Sequence, residues 1–368
     1  MRVFLWLVGL LLTTVWPPLY AAEVDQFSQF RELKDSSAVI EAEVNRRIKV
    51  AVRRANDFYP KPQQHKKEHH RKRPRCDANR LYGQLQSQLA RPIIGQLESF
   101  AEESAQVDKY RVTFQQSIYR DYASMEAPTL VLSERIAAVI RIGEVYMGSD
   151  KLGHFFTEGL SYFEVNDRLQ DGNGDAIKVA ADTQADTEDR VLQQGFLFGK
   201  WSESLYFGAQ TTGVFSFADL TANFHGLRFW NRILARQPDP LLRQEVDPYI
   251  RCQGTRWQIV QAFSFDDYVD QGWNEAVNCS AFRTEELLQN VLRYQPRCTP
   301  EKLPLYDSAL ASEVLNDQGL RVLPEELQPE ILLAERADTF DWKLPAEVIE
   351  NIRTVRLEIE QWRSSFDE

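Results

Sequence analysis

Past its N-terminal stretch the chain has no apolar run that approaches the roughly 20 residues of a transmembrane helix, so no later membrane span is expected. Positive charge is in deficit. With 43 Lys and Arg against 54 Asp and Glu, the net charge is −11, which argues against a general nucleic-acid binder because phosphate contacts need a basic surface. Cysteine is scarce, with only Cys76, Cys252, Cys279 and Cys298, and no two of them stand at the short spacing that zinc ligation prefers. The chain also lacks G-x-S-x-G, H-E-x-x-H, P-loop and dinucleotide fingerprints, and it has no internal repeat. Familiar hydrolase, metalloprotease and nucleotide chemistries therefore have no signature here.

Core-forming material is plentiful. Hydrophobic residues make up 43% of the chain, and the aromatics number 8 Trp, 13 Tyr and 21 Phe, which suits an aromatic-rich helical interior. Met1 to Ala22 reads as a secretory signal: Arg2 as a short basic region, Val3 to Trp16 as the apolar region, then Pro17-Pro18 and a small-residue cleavage site near Ala21. An uncleaved N-terminal anchor is the alternative. The expectation is a periplasmic or secreted protein, and in that setting four cysteines favour two disulfides. Of the three possible pairings, the segment between Cys252 and Cys279 favours joining those two, which leaves Cys76 with Cys298; free thiols are the alternative.

Helical periodicity runs from Phe27 to Phe58, with Val39, Ile40, Val44, Ile48 and Val52 on one face, and again from Asp77 to Ser104. Between them lies Lys61 to Arg75, a basic run with His65, His69 and His70 and no large apolar side chain. It reads as a solvated linker, or as a contact for anionic envelope lipid or polysaccharide. Ile142 to Gly148 alternates like a strand or hairpin and leads into a helix capped by Ser149 or Asp150. Asp171-Gly172-Asn173-Gly174-Asp175, with Asp182 at the twelfth place, resembles the start of a calcium loop but has Ala176 where the sharp turn wants glycine, so a plain loop is the competing reading. A helix is expected over Thr187 to Phe207, and another from Ser216, whose start resembles a capping box, to about Ala235. A last amphipathic helix is expected over Pro345 to Phe366. The expected organisation is a signal (1–22), an N-terminal helix and basic linker (23–75), a main helical domain (76–300) with a disulfide-tied aromatic segment (248–300), and a C-terminal helical extension (301–368). The fold class is mainly α, a helical bundle-like, disulfide-stapled domain with short strands near 140–148 and 255–270.

Three of these helices carry polar lines. Asp150, His154 and Glu158 stand at i, i+4 and i+8; Gly195, Gly199 and Glu203 form a second line; Asp219 and Asn223 form a third. Facing one another in a bundle, they would make a cluster of carboxylates, one imidazole and one amide. Such a cluster suits a divalent metal, with Asp150, His154 and Glu158 as ligands. It equally suits an acid–base site in which nearby carboxylates keep His154 protonated. A hydrogen-bond network that fixes helix register is the third reading. Only His154 is clearly in the cluster, with His225 an outside candidate, which argues against a zinc hydrolase of two or three histidines.

The pattern Asp150-Lys151-x-Gly153-His154-Phe155 resembles the opening of helices in VanZ-like proteins. Those proteins span the membrane several times, so no VanZ function carries over. Gly148-x-Asp150-Lys151-Leu152-Gly153-His154-Phe155-Phe156, followed by Gly213-Val214-Phe215-Ser216-x-Ala218-Asp219-Leu220-x-Ala222-Asn223, looks like an uncharacterised family of exported bacterial proteins over roughly residues 140–280. The resemblance implies that Asp150, His154, Asp219 and Asn223 belong to one site, and it supplies no activity. Two functions stay open. One is a non-catalytic envelope binding or scaffold protein. The other is a hydrolase or lyase on an envelope polymer or lipid, metal-assisted or not, with His154 as acid–base and Asp150, Glu158, Glu203 and Asp219 around it.

Overall fold

The apolar residues of the first helix recur every three or four positions, and the structure buries that line. In the computed structural model, which describes residues 24–57, 76–90, 95–122, 130, 136–170, 214–242, 244–282 and 284–296, helix α1 spans Ser37–Asn56 and buries Ile40, Val44, Ile48, Ala51, Val52 and Ala55. It starts later than its periodicity suggests. Upstream, the Asp25 carboxylate accepts the amides of Phe27, Ser28 and Ile118, and Val24 bridges to Ala137, so this stretch is tied to distant backbone instead of its own next turn.

Helix α2 (Ala78–Leu89) is capped by Asp77, which accepts the Arg80 amide, and buries Leu81, Leu85 and Leu89 against α1. Helix α3 (Gln96–Glu103) follows separately. The single helix expected over 77–104 is therefore two, and the intervening sequence carries Pro92, which cannot sit inside a helix without losing a backbone bond.

Strands β1 (Lys109–Tyr110), β2 (Val139–Ile142) and β3 (Val145–Gly148) form an antiparallel sheet. Ile142 pairs with Val145, and the tight turn between them puts Gly143 at φ +56°, where glycine is favoured. This is the hairpin expected ahead of Ser149. The chain then enters α4 (Asp150–Gly153), passes through one π-helical turn (His154–Glu158) and continues as α5 (Gly159–Gln170).

Strand β4 (Val214–Ser216) leads into α6 (Phe217–Arg232), and the Ser216 hydroxyl caps it by accepting the Asp219 amide, as the capping-box reading expects. Residues Phe217 to Asn231 are buried without a break, so α6 is the central helix. It crosses the π turn and α5 at a pair of glycines. A Cβ on Gly226 would lie 2.1 Å from the Phe155 carbonyl oxygen, and one on Gly159 would lie 2.5 Å from Gly226 Cα.

Strands β5 (Ile250–Gln253) and β6 (Arg256–Ile259) form a hairpin, and β7 (Ser280–Phe282) pairs with β4 ahead of α7 (Glu285–Leu292). Phe263, Phe265, Tyr268 and Trp273 enter the same core as Phe155, Phe156 and Phe229, with ring centroids as close as 5.3 Å between Phe229 and Phe263 and 5.5 Å between Phe155 and Trp273.

The cysteine pairing differs from the expected one: Cys76 bonds Cys252, not Cys298, and Cys252 is not joined to Cys279. The reason is a long-range contact invisible to sequence spacing. Asn56 exchanges two hydrogen bonds with the Trp257 backbone, and Trp257 Nε1 donates to the Asp77 carbonyl, which docks the hairpin on the ends of α1 and α2 beside Cys76. Cys279 is also disulfide-bonded, and Cys298 lies outside the described residues. The signal segment, the Lys61–Arg75 run, the Asp171–Asp175 loop with Asp182, the Gly195/Gly199/Glu203 helix and the C-terminal helix likewise lie outside them. Among the described residues, no helix is long and apolar enough to cross a membrane.

Candidate functional site

The first turn after the β2–β3 hairpin puts Lys151 into the middle of the protein. Its side chain is 0% exposed, and its Nζ lies 2.8 Å from Asp150 Oδ2, 2.5 Å from Asp219 Oδ1 and 2.6 Å from Glu275 Oε1. An ammonium buried alone would be very costly, so the three carboxylates are what make its burial tolerable. Burial pulls the Lys151 pKa down, but Asp150, Asp219 and Glu275 outweigh it and hold it well above the usual lysine range. Glu275 also accepts from the Ser216 hydroxyl at 3.0 Å, while its own amide donates to Gln26 Oε1 at 3.0 Å. Burial pushes Glu275 up to about 7 despite Lys151. Burial likewise raises Asp150. Burial also acts to raise Asp219, but it is overcome there by His154 and Lys151, which hold the carboxyl well below the usual range.

His154 stands one helical turn beyond Asp150, and its side chain is 14% exposed. Its Nε2 is 3.2 Å from Asp219 Oδ2, and its Nδ1 is 3.2 Å from Asn223 Oδ1. Asn223 Nδ2 donates to the Tyr162 hydroxyl at 3.4 Å, which fixes the amide with its oxygen toward the ring. Both ring nitrogens therefore face oxygen acceptors, a carboxylate on one side and an amide on the other. The sequence expectation that Asp150, His154, Asp219 and Asn223 share one place is met by these distances.

Glu158 is not part of that convergence. The Gly159 amide bonds the His154 carbonyl, so the turn between His154 and Glu158 is a π turn, wider than an α turn. The atoms that do converge, within 4.8 Å of one another, belong to Asp150, His154 and Asp219. Glu203 lies outside the described residues.

Helix α3 adds two carboxylates that periodicity did not flag. Glu98 lies across Gly153, where a Cβ would meet its Oε2 at 2.8 Å. Burial raises Glu98 to about 8, the Asp150 charge adds to that, and His154 opposes it. Glu102 accepts the Ala138 amide at 2.8 Å and the Ser149 hydroxyl, and it pairs with Arg111. Ser149 therefore holds the cap position of α4 without capping it, because its hydroxyl is given to Glu102.

A second polar cluster sits farther along α6. Arg228 Nε contacts both oxygens of Asp239 at 3.1 Å, and its Nη1 donates to the Asp267 carbonyl at 3.0 Å and to His225 Nδ1 at 2.9 Å. Since a guanidinium only donates, His225 Nδ1 accepts, and Nε2 carries the proton that faces Asp270 Oδ2 at 3.5 Å. Burial depresses the His225 pKa, Asp270 opposes, and Arg228 adds to the depression. His225 is thus a neutral ring in a separate network, not a fourth member of the first cluster.

Lys151, Glu275 and Glu98 are the residues that spacing alone missed. The only sequence signal was Lys151 itself, a lysine just ahead of Leu152 and the Phe155-Phe156 pair. No protein-family model, no curated protein and no solved structure matches the chain.

Proposed function

We propose that this is an exported cell-envelope protein with a non-catalytic binding or scaffold role, whose buried polar cluster locks its helices in register. The observation that carries the reading is Lys151: fully enclosed, it joins α4, the start of α6 and the Glu275 loop through three carboxylates. Export is supported by the signal-like Met1–Ala22 segment and by the Cys76–Cys252 disulfide, which persists in oxidising compartments. The basic run Lys61–Arg75 is the segment suited to anionic lipid or polysaccharide. In this role His154→Ala takes away one partner each from Asp219 Oδ2 and Asn223 Oδ1 and lowers stability by about 1–3 kcal/mol, read by urea denaturation.

A second reading, a hydrolase or lyase with His154 as acid–base, is favoured by a specific pair. His154 is the partly exposed member of the cluster, and beside it Glu98, raised to about 8, is a protonated acid at neutral pH. Here His154→Ala leaves the melting temperature within a few degrees while abolishing the phenotype of a deletion strain complemented with the variant. Unchanged stability together with an unchanged phenotype would overturn both readings.

A further inference from the structure

We propose that Asp150, His154 and Asp219 form a site for a divalent transition-metal ion. The inference stands apart from whether the cluster is a scaffold or a catalyst. One ligand atom from each residue lies within 4.8 Å of the others. In a tetrahedral shell, ligand atoms about 2.1 Å from a zinc ion stand about 3.4 Å apart, so side-chain shifts of up to about 1.4 Å between ligand pairs would close the shell.

The arrangement of oxygens and nitrogens suits that role. Lys151 takes one oxygen from each aspartate, Oδ2 of Asp150 and Oδ1 of Asp219, which pins both carboxylates in place. The other Asp150 oxygen, Oδ1, is buried and has no hydrogen-bond partner, an expensive state for a carboxylate whose side chain is only 8% exposed. His154 presents Nε2 to Asp219 while Nδ1 faces the Asn223 oxygen, itself oriented by Tyr162. That is how metal-bound histidines are held: the far N–H donates to an outer acceptor, which sets the tautomer and leaves the near nitrogen's lone pair for the ion.

Charge points the same way. Three carboxylates, Asp150, Asp219 and Glu275, surround the fixed cation Lys151. In the metal-free cluster the gap between His154 and Asp219 is filled by a ring proton. A divalent ion in that gap would release the proton and offset the surplus of carboxylates. Two carboxylates and one imidazole favour zinc or manganese over calcium, which prefers oxygen ligands alone. Water would complete the coordination, since the His154 side of the cluster reaches solvent.

The test uses the full-length mature protein, stripped with a chelator and titrated with Zn²⁺ and with Mn²⁺ by calorimetry, alongside elemental analysis before stripping. The expected result is about one ion per chain and a melting temperature that rises with ion concentration. His154→Gln should abolish this binding. Because that change could also disturb folding, Asn223→Ala is the second variant. It keeps all three ligands and should weaken the ion 10- to 100-fold by freeing the ring. Binding that survives in both variants would overturn the proposal and point to His65, His69 and His70 instead. Absence of binding in the wild-type chain would also overturn it, yet would leave the scaffold reading to be judged on metal-free His154→Ala stability.

Discussion

Helix α6 serves two buried charge clusters only a few turns apart, and they are resolved in opposite ways. Around Arg228 the charges are balanced: the guanidinium meets Asp239 through both oxygens, Asp239 also accepts the Leu241 and Leu242 amides, and His225 is neutral, although its buried Nε2 makes no hydrogen bond. Around Lys151 there are more carboxylates than cations, Glu98 and Glu275 are driven toward protonation, and Asp150 keeps a buried oxygen without a hydrogen bond. The first has the balance of a structural network. The second carries an imbalance, the state in which perturbed groups mark functional places. Both clusters reach solvent at one edge, the first at Asp270 and the second at His154.

Breaking each cluster at its cation should separate them most sharply. Lys151→Met removes the one charge shared by three carboxylates and should cost about 3–5 kcal/mol in urea denaturation. Arg228→Met leaves Asp239 with two backbone donors, so its loss should be smaller, about 1–3 kcal/mol. Equal losses would show that the Lys151 cluster relaxes by protonating, and would weaken its role as the lock. Next in size is Gly226→Ala, which drives a Cβ to 2.1 Å from the Phe155 carbonyl and should cost about 3 kcal/mol, the upper range for overpacking. Because that crossing sets where the π turn meets α6, the same variant should also weaken any ion bound at Asp150, His154 and Asp219.

The two clusters also differ in how far the sequence announces them. Asp150 and His154 share a helix face, and Asp219 and Asn223 share another, so their meeting is legible from a spacing of four. The Ser216 cap and the Ile142–Val145 turn are legible for the same reason: each is decided within a few residues. Glu275 is not, because it reaches Lys151 across 124 positions from an aromatic loop with no periodic pattern. The Cys76–Cys252 bond is missed on the same ground, since it depends on Trp257 docking at Asn56 and Asp77. Glu158 is a different case: its spacing is that of an α-helix, whereas the turn beginning at His154 is π-helical. Local rules thus predict elements and faces, whereas partners of buried charge are settled by long-range packing.

The most gradual effect, and the most diagnostic, is in pH. Glu98 is raised to about 8 in the folded chain from an ordinary value of 4.5, so between those values the folded state holds a proton that the unfolded state lacks. Stability from this group therefore falls as pH rises through that window. The slope for one proton is at most about 1.4 kcal/mol per pH unit, and less here because Glu98 is not fully shielded. His225 acts with the opposite sign. Its folded pKa is depressed below 6.5, so below that pH the unfolded chain takes up a proton that the folded ring refuses, and stability falls with acid. Denaturation midpoints measured from pH 5 to 9 should then show Glu98→Gln flattening the decline between about pH 6.5 and 8 and steepening the acid limb below it, and His225→Gln flattening the acid limb. Saturating Zn²⁺ should mimic Glu98→Gln, because a dication beside Asp150 and His154 lowers the Glu98 pKa and removes its proton from the folded state. A zinc effect that flattens the acid limb instead would place the ion with the Arg228 cluster and dissolve the contrast between the two.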